Sequence, residues 1–145
     1  MWRSGDVAAV IALNPAQEIL MVRQYKHAIS QEITEFPAGM VDQGETPIEA
    51  ARREFEEETG FEPLELTHLA TFADNPTKQV GNVHFFFAPK IRPGSKQQHS
   101  DPTVDIEVLF VTPQALRAKL LSGELWGTGT VAAGYLFLDK ILGTL

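Results

Sequence analysis

Three glutamates stand at a spacing that would bring their carboxylates together on one face of a helix. Glu54, Glu57 and Glu58 are related by i, i+3 and i+4, which are neighbouring positions on a helix surface. Like charges at this spacing repel, and negative charge near a helix C-terminus opposes the macrodipole. A Mg²⁺ or Mn²⁺ ion prefers oxygen ligands and would offset the repulsion. The spacing therefore predicts a site for a hard divalent cation.

The alternative is a solvated acidic face. Such faces usually mix Lys with Glu, whereas no Lys occurs between Lys26 and Lys78. The formal net charge of the chain is −7, and residues 45–58 contain six Glu against only two Arg. This local concentration of negative charge favours the metal site. Arg53, next to the cluster, is a candidate for a bidentate pair with a carboxylate, in either a functional or a purely structural role.

Composition limits the classes of protein to be considered. The 145 residues, 43% of them hydrophobic, are sufficient for one globular domain. The absence of Cys excludes a disulfide framework, a thiolate zinc site and a cysteine nucleophile. The acidic balance argues against a nucleic-acid binder, and no apolar run is long enough for a membrane span. No signal-peptide pattern is seen at the start, so a cytoplasmic location is expected.

The glutamates lie in the most clearly marked helix of the sequence, predicted from Pro47 to about Thr59. Thr46 is a suitable N-cap, Glu49 completes a capping box, and Gly60 provides a left-handed end.

The periodicity of this helix predicts which of its faces is buried. Ile48, Ala51 and Phe55 form an apolar stripe that is expected to face the core. Ala50, on the same face as Glu54, is expected to leave room beside the carboxylates for a ligand or a loop.

The remaining pattern predicts a mixed order of strands and helices. Strands are expected near Val7–Leu13, Glu18–Gln24, Ile33–Phe36, Leu64–Phe72, Val83–Ala88 and Ile106–Val111. Further helices are expected over Pro113–Leu121 and Thr130–Leu142, and Pro93–Asp105 is expected to be a loop. Because strands and helices do not alternate strictly, an α/β or α+β sandwich with a mixed sheet is favoured over a doubly wound parallel fold.

The segment from 39 to 61 resembles the complete Nudix box: Gly, five residues, Glu, seven residues, then Arg-Glu-apolar-any-Glu-Glu-any-Gly-apolar. The fixed positions are filled by Gly39, Glu45, Arg53, Glu54, Phe55, Glu57, Glu58, Gly60 and Phe61. The resemblance implies a single Nudix hydrolase domain over residues 1–145 with the α/β/α sandwich of that family. It also implies hydrolysis of nucleoside diphosphates linked to another group, by water activated with Mg²⁺ or Mn²⁺.

The same resemblance implies roles for particular residues. Glu54, Glu57 and Glu58 would ligate the metal, with the backbone carbonyl of Ala38 as a further ligand. Glu45 and Arg53 would orient the carboxylates of the helix. Gly39 would allow the backbone to approach the pyrophosphate closely.

The general base is open. In some Nudix enzymes it is a glutamate of the box, and in ADP-ribose pyrophosphatases it is commonly an acid from a distant loop. The candidates in that part of this chain are Asp101, Asp105 and Glu107.

Features outside the box resemble the ADP-ribose pyrophosphatase branch of the family. They are the run Val22–Lys26, the run Glu35–Gly39 and Pro76, which stands 16 residues after Gly60. The resemblance implies a small nucleotide as substrate, ADP-ribose or a related nucleoside diphosphate sugar, giving AMP and a sugar phosphate. It is also compatible with a homodimer.

Substrate contacts are predicted at Arg23, Tyr25, Glu35 and Gly39, with Tyr25 or Trp126 able to stack on a base. Two alternatives stay open: a Nudix enzyme for a dinucleoside polyphosphate or an oxidised nucleoside triphosphate, and a non-catalytic nucleotide sensor.

Overall fold

The computed structural model describes residues 5–77, 81–95 and 105–143. The strands are β1 (Val7–Ala12), β2 (Ile19–Lys26), β3 (Gln31–Glu35), β4 (Ala38–Met40), β5 (Phe61–Pro63), β6 (Thr67–Ala73), β7 (Asn82–Ala88), β8 (Ile91–Pro93) and β9 (Ile106–Val111). The helices are α1 (Pro47–Thr59), α2 (Pro113–Ser122) and α3 (Thr128–Lys140), with a 3-10 turn at His27–Ile29.

Two sheets form the centre of the domain. The first has the strand order β4-β1-β7-β6, in which β1 and β7 run parallel and the outer pairs are antiparallel. The second is antiparallel, with the order β3-β2-β9. Strands β5 and β8 form a short separate pair. The parallel neighbours β1 and β7 make the first sheet mixed, as predicted.

The alternation of side chains along β1 builds two cores, one on each side of the sheet. Ala8 and Val10 pack with Phe55 beneath α1. Ala9 and Ile11 pack on the opposite side, with residues of α2 and α3. The helices therefore cover both faces, which confirms the predicted α/β/α sandwich.

The capping signals around α1 are formed as the sequence predicts. The Thr46 side chain accepts a hydrogen bond from the Glu49 N–H, and the Glu49 carboxylate accepts one from the Thr46 N–H. Gly60 ends the helix with a φ of 77°, in the left-handed region that favours glycine. Helix α1 therefore has its predicted bounds.

Other boundaries differ from the prediction. Strand β6 begins at Thr67 rather than Leu64, and α3 begins two residues earlier and ends two residues earlier than expected. Strands β4, β5 and β8 were not predicted, because three residues are too few to show a periodicity. Pro93 closes β8 instead of opening the expected loop, and residues 96–104 of that loop lie outside the described residues.

The predicted buried stripe of α1 is wrong at Ile48 and in the role given to Ala50. Ile48 is 41% exposed, whereas Ala50 is fully buried with Ala51 and Phe55. The helix is rolled so that the flank carrying Ala50 lies on the sheet, which its small side chain permits, and the flank carrying Ile48 turns outward. Ala50 therefore belongs to the core and leaves no room for a ligand.

Among the described residues, no helix is long and apolar enough to cross a membrane.

The roll of α1 predicts opposite costs for two substitutions in its first two turns. Ala50→Leu adds volume to a filled core and is expected to lower the free energy of unfolding by about 1–3 kcal/mol. Ile48→Ala removes a half-exposed side chain and is expected to cost less than about 1 kcal/mol. Urea unfolding measures both, and a larger loss for Ile48→Ala would contradict the orientation of the helix.

Candidate active site

Strand β4 brings the backbone of Gly39 directly against the side chain of Glu54. A Cβ atom at Gly39 would lie 2.0 Å from Glu54 Cδ and 2.4 Å from Cγ, far inside van der Waals contact. Because β4 pairs with β1 beneath α1, the missing side chain creates the space that the carboxylate occupies. The absence of a side chain at Gly39 therefore makes room for the Glu54 carboxylate. The close approach of the Gly39 backbone to the pyrophosphate, which the family resemblance implies, stays a prediction.

Arg53 holds the helix carboxylates to the loop that precedes α1. Its Nε and Nη2 donate to the two carboxylate oxygens of Glu45, at 2.8 and 2.9 Å, and Nη1 donates to Glu54 Oε1 at 2.8 Å. Nη2 also donates to the carbonyl of Met40 at 3.0 Å and lies 3.4 Å from Asp42 Oδ2. One guanidinium therefore fixes both ends of the loop relative to Glu54.

The electrostatics of this pair are those of a mutually stabilised ion pair. The bidentate hydrogen bonds from Arg53, followed by one from the Asp42 N–H, lower the pKa of Glu45 to about 2, and the same partner raises the pKa of Arg53. Because the folded pKa of Glu45 lies below its ordinary value, the stabilisation is complete above about pH 4.5 and is lost as the pH falls towards 2. The loop is therefore held firmly at neutral pH.

Glu58 is in the opposite electrostatic situation. Burial, followed by the nearby negative charges of Glu54 and Glu35, raises its pKa to about 8. Its Oε2 accepts a hydrogen bond of 3.3 Å from the Ala38 N–H, and Lys26 provides a weaker opposing influence. Carboxylates of α1 and β3 thus lie close enough to disfavour the charged form of Glu58.

Lys26 and Gln24 are the site residues that sequence reasoning missed. Lys26 Nζ lies 3.0 Å from Glu35 Oε1, and Gln24 Nε2 donates to the same oxygen at 3.0 Å. Glu35 pairs across β2 with Val22, which packs in the core beneath α1, so this group faces the helix carboxylates. A period-2 reading of β2 could have placed Gln24 and Lys26 on the face shared with Val22.

The predicted convergence of Glu54, Glu57 and Glu58 does not form a ready-made cage. Within residues 5–77, 81–95 and 105–143, no set of three or more His, Asp or Glu side chains is arranged to hold a metal ion. Glu54 is turned to Arg53 at 2.8 Å, and Glu57 lies 3.5 Å from the same side chain. Glu58 is turned to Ala38. Metal binding would therefore require Glu57 and Glu58 to turn towards Glu54, which Arg53 holds in place.

The residues present nevertheless suit a hard divalent cation. The donors are carboxylate oxygens, the ligand type that Mg²⁺ and Mn²⁺ prefer. Their mutual repulsion, seen in the raised pKa of Glu58, is the condition that a bound cation relieves. The space at Gly39 admits the Glu54 carboxylate to the sheet surface.

The structure places Arg23, Tyr25 and Glu107 on the other face of the second sheet. Arg23 and Tyr25 alternate along β2 with residues that face α1, and Arg23 Nη2 donates to Glu107 Oε2 at 2.6 Å. The predicted substrate contacts are thus divided between two faces, with Glu35 and Gly39 alone beside the helix carboxylates. Arg23 and Tyr25 stay predictions.

Of the three candidate loop bases, two are described. Glu107 is paired with Arg23, and Asp105 is exposed immediately before β9. Asp101 lies outside the described residues. The choice of base stays open.

Comparison with known proteins gives a consistent result. The profile of the NUDIX domain family matches residues 3–128. The chain is 33% identical over 135 residues to an ADP-ribose pyrophosphatase of Bacillus subtilis (strain 168), covering 92% of this chain and 73% of that protein. It is 30% identical over 141 residues to a methanol dehydrogenase activator of Bacillus methanolicus, covering 97% and 76% of the two chains.

A solved structure supports the fold. It is described as an ADP compounds hydrolase and superposes with a TM-score of 0.81 at 23% identity, covering 99% of this chain and 78% of that chain. The similarity confirms the predicted sandwich architecture.

The raised pKa of Glu58 predicts a stabilising substitution. A carboxyl group whose pKa is higher in the folded than in the unfolded protein destabilises the folded state as the pH rises from 4.5 towards 8. Glu58→Gln removes this charge and can still accept from Ala38. We expect the Tm of the metal-free variant at pH 8 to exceed that of the wild type by several degrees, since about 1 kcal/mol shifts Tm by roughly 2–4 °C at this size.

Glu56→Gln is the matched control, because it removes one negative charge from the same helix. Thermal unfolding of the three proteins in EDTA at pH 5 and pH 8 provides the comparison. Equal Tm values for wild type and Glu58→Gln at pH 8 would contradict the electrostatic description of Glu58.

The contact at Gly39 predicts a loss of metal affinity from one added methyl group. Gly39→Ala would force the Glu54 side chain out of its space, so we expect the Kd for Mn²⁺ to rise by on the order of tenfold. Electron paramagnetic resonance of free Mn²⁺ measures the change. Gly129→Ala, where a Cβ would lie 3.7 Å from Phe85 Cζ in ordinary van der Waals contact, is the steric control. Equal Kd values for Gly39→Ala and the wild type would refute the contact's role.

Proposed function

This chain belongs to the Nudix family, and we propose that it is a pyrophosphatase for ADP-ribose or a related nucleoside diphosphate sugar that requires Mg²⁺ or Mn²⁺. The reaction adds water across the pyrophosphate bond and yields AMP and a sugar phosphate. The observation that carries the proposal is the clamped box, in which Arg53 joins Glu45 and Glu54 while Gly39 leaves space for Glu54. The similarity to the ADP-ribose pyrophosphatase of Bacillus subtilis supports ADP-ribose as the substrate.

We assign the metal to Glu54, Glu57, Glu58 and the carbonyl of Ala38. When bound, a divalent cation lowers the pKa of a coordinated water and neutralises charge that develops on the phosphate oxygens. A bound cation would therefore allow this cluster of glutamates to accept a polyanionic substrate. Without the cation, the glutamates and the pyrophosphate would repel each other.

The residues of the chain prepare the carboxylates for this task. Arg53 keeps Glu54 close to β4, and Glu45 fixes the Arg53 guanidinium through two hydrogen bonds. Glu58 must lose its proton to act as a ligand, since only the carboxylate form offers full negative charge to the cation. Lys26 stabilises the ionised form of Glu58 and pairs with Glu35, so it favours that deprotonation.

The wider setting of the proposal is a cytoplasmic enzyme acting on a small nucleotide, with no nucleic acid as partner and with a homodimer as its assembly. The acidic composition argues against nucleic acid as a partner, and the lack of Cys fits a cytoplasmic location. The resemblance to the ADP-ribose pyrophosphatase branch supports the dimer.

The assay that tests the proposal is a panel of nucleotides incubated with the protein and Mg²⁺. We expect ADP-ribose or another nucleoside diphosphate sugar to give the highest kcat/KM, with EDTA abolishing turnover. Faster hydrolysis of a dinucleoside polyphosphate or an oxidised nucleoside triphosphate would reassign the substrate. Tight ADP-ribose binding without metal-dependent hydrolysis would show a sensor instead.

Glu57→Gln tests the proposed ligand set within the same assay. We expect kcat to fall by at least about 100-fold while far-UV circular dichroism stays unchanged, because removal of a charged ligand weakens the cation and the stabilisation it gives. Glu56→Gln, which changes the neighbouring glutamate at the unconstrained position of the motif, should retain activity within about threefold. Unchanged kcat and KM in Glu57→Gln would overturn the assignment.

A further inference from the structure

Asp6 joins three strands at one corner of the first sheet. Val7, which follows it, pairs with Met40 of β4 on one side and with Val83 of β7 on the other. The Asp6 carbonyl accepts a hydrogen bond from the Val41 N–H at 2.8 Å, and Oδ1 accepts one from the Asn82 N–H at 3.0 Å. The loop between β4 and α1, which is part of the box, is thus tied to the start of β1.

His84 fixes the remaining oxygen of this carboxylate. Its Nε2 lies 2.8 Å from Asp6 Oδ2, and the His84 side chain is only 16% exposed. An ionised carboxylate only accepts, so Nε2 carries the proton and donates. The hydrogen bond to His84 is the largest cause of the lowered pKa of Asp6, followed by the bond from Asn82.

Thr71 and His68 extend this hydrogen-bond network onto the neighbouring strand, β6. Thr71 Oγ1 lies 3.0 Å from His84 Nδ1 and 2.7 Å from His68 Nε2. The Thr71 hydroxyl, which can both donate and accept, therefore bridges Nδ1 of His84 and Nε2 of His68. The orientation of the His84 ring is therefore set from both sides.

Arg53 with Glu45 and Glu54 forms what we call the carboxylate clamp. The hydrogen-bond network of Asp6 reaches this clamp through two adjacent residues of the main chain. Val41 is held by Asp6, and the carbonyl of Met40 accepts a hydrogen bond from Arg53 Nη2 at 3.0 Å. Gly39, which gives Glu54 its space, is the residue before Met40. Residues 39–41 therefore carry contacts to the Asp6 corner and to the clamp at the same time.

We propose that His84 is a positioning residue for the metal site: through Asp6 it fixes residues 39–41, so that Arg53 and Gly39 hold Glu54 where it can bind the cation. The proposal rests on the proposed function for the metal, but the clamp itself is independent of it. The hydrogen bonds of His84 go to Asp6 and Thr71, so its connection to the box runs through Asp6.

The first test is amide hydrogen exchange in the metal-free protein. His84→Phe keeps an aromatic ring of similar size and removes both ring nitrogens, so we expect the Val41 amide to exchange faster than in the wild type. His68→Phe, at the far end of the chain, leaves the Asp6–His84 bond in place and should leave Val41 unchanged. An unchanged exchange rate at Val41 in His84→Phe would overturn the proposal, whatever the protein catalyses.

The second test is the Kd for Mn²⁺ in the absence of substrate, from electron paramagnetic resonance. We expect His84→Phe to raise it by on the order of tenfold, the low end of the effect of supporting residues at metal sites. His84→Gln places an amide N–H near the position of Nε2 and should restore most of the affinity. Asp6→Asn, which keeps an oxygen for Asn82, serves as the second variant and should change the Kd in the same direction.

The route through Arg53 is tested by a double-mutant cycle. In an Arg53→Met background, His84→Phe should cause little further loss of Mn²⁺ affinity, since the connection to Glu54 is already broken. An undiminished loss in that background, a wild-type Kd in His84→Phe, or a His84→Gln variant as weak as His84→Phe would overturn the proposal. A wild type that binds no Mn²⁺ would refute the proposed function, and the exchange measurement would still decide the clamp.

Discussion

The structure depends on a single guanidinium placed among carboxylates. Arg53 binds both oxygens of Glu45, one oxygen of Glu54 and the carbonyl of Met40. These contacts join the capped helix to the loop before it, and the loop in turn is paired to the sheet through β4. Without this guanidinium, Glu45 and Glu54 would lose the partner that fixes their orientation and compensates their charge. The Arg53 clamp therefore fixes the geometry of the site and compensates much of the negative charge of Glu45 and Glu54.

The Arg53 clamp does not relieve all of the repulsion among the carboxylates. The repulsion that remains acts on Glu58. Glu58 is half-buried near Glu54 and Glu35, and its pKa is raised to about 8, so the metal-free protein holds a carboxyl group in an unfavourable setting. Folded proteins usually avoid such settings unless a site requires them. This unfavourable setting lies on the surface where the metal is proposed to bind.

Much of the fold could be predicted from local signals. Helix α1 was predicted in full because Thr46, Glu49 and Gly60 mark its ends, and the long apolar strands were found from their composition. The roll of α1 could not be predicted, because it depends on how closely Ala50 packs on the sheet. The partner of Arg53 was likewise left open, since Glu45 reaches it only when the loop folds back. Lys26 was missed because its role depends on the register of β2 with β3.

The proposed metal site requires Glu58 to lose its proton when a divalent cation binds. Calorimetric titration of Mn²⁺ into the wild type, in buffers of different ionisation enthalpy, counts the protons released on binding. Because the pKa of Glu58 is about 8, we predict release of about one proton per site at pH 7 and close to none at pH 9.5. Binding at pH 7 with no proton release, or with the same release at both pH values, would contradict the account.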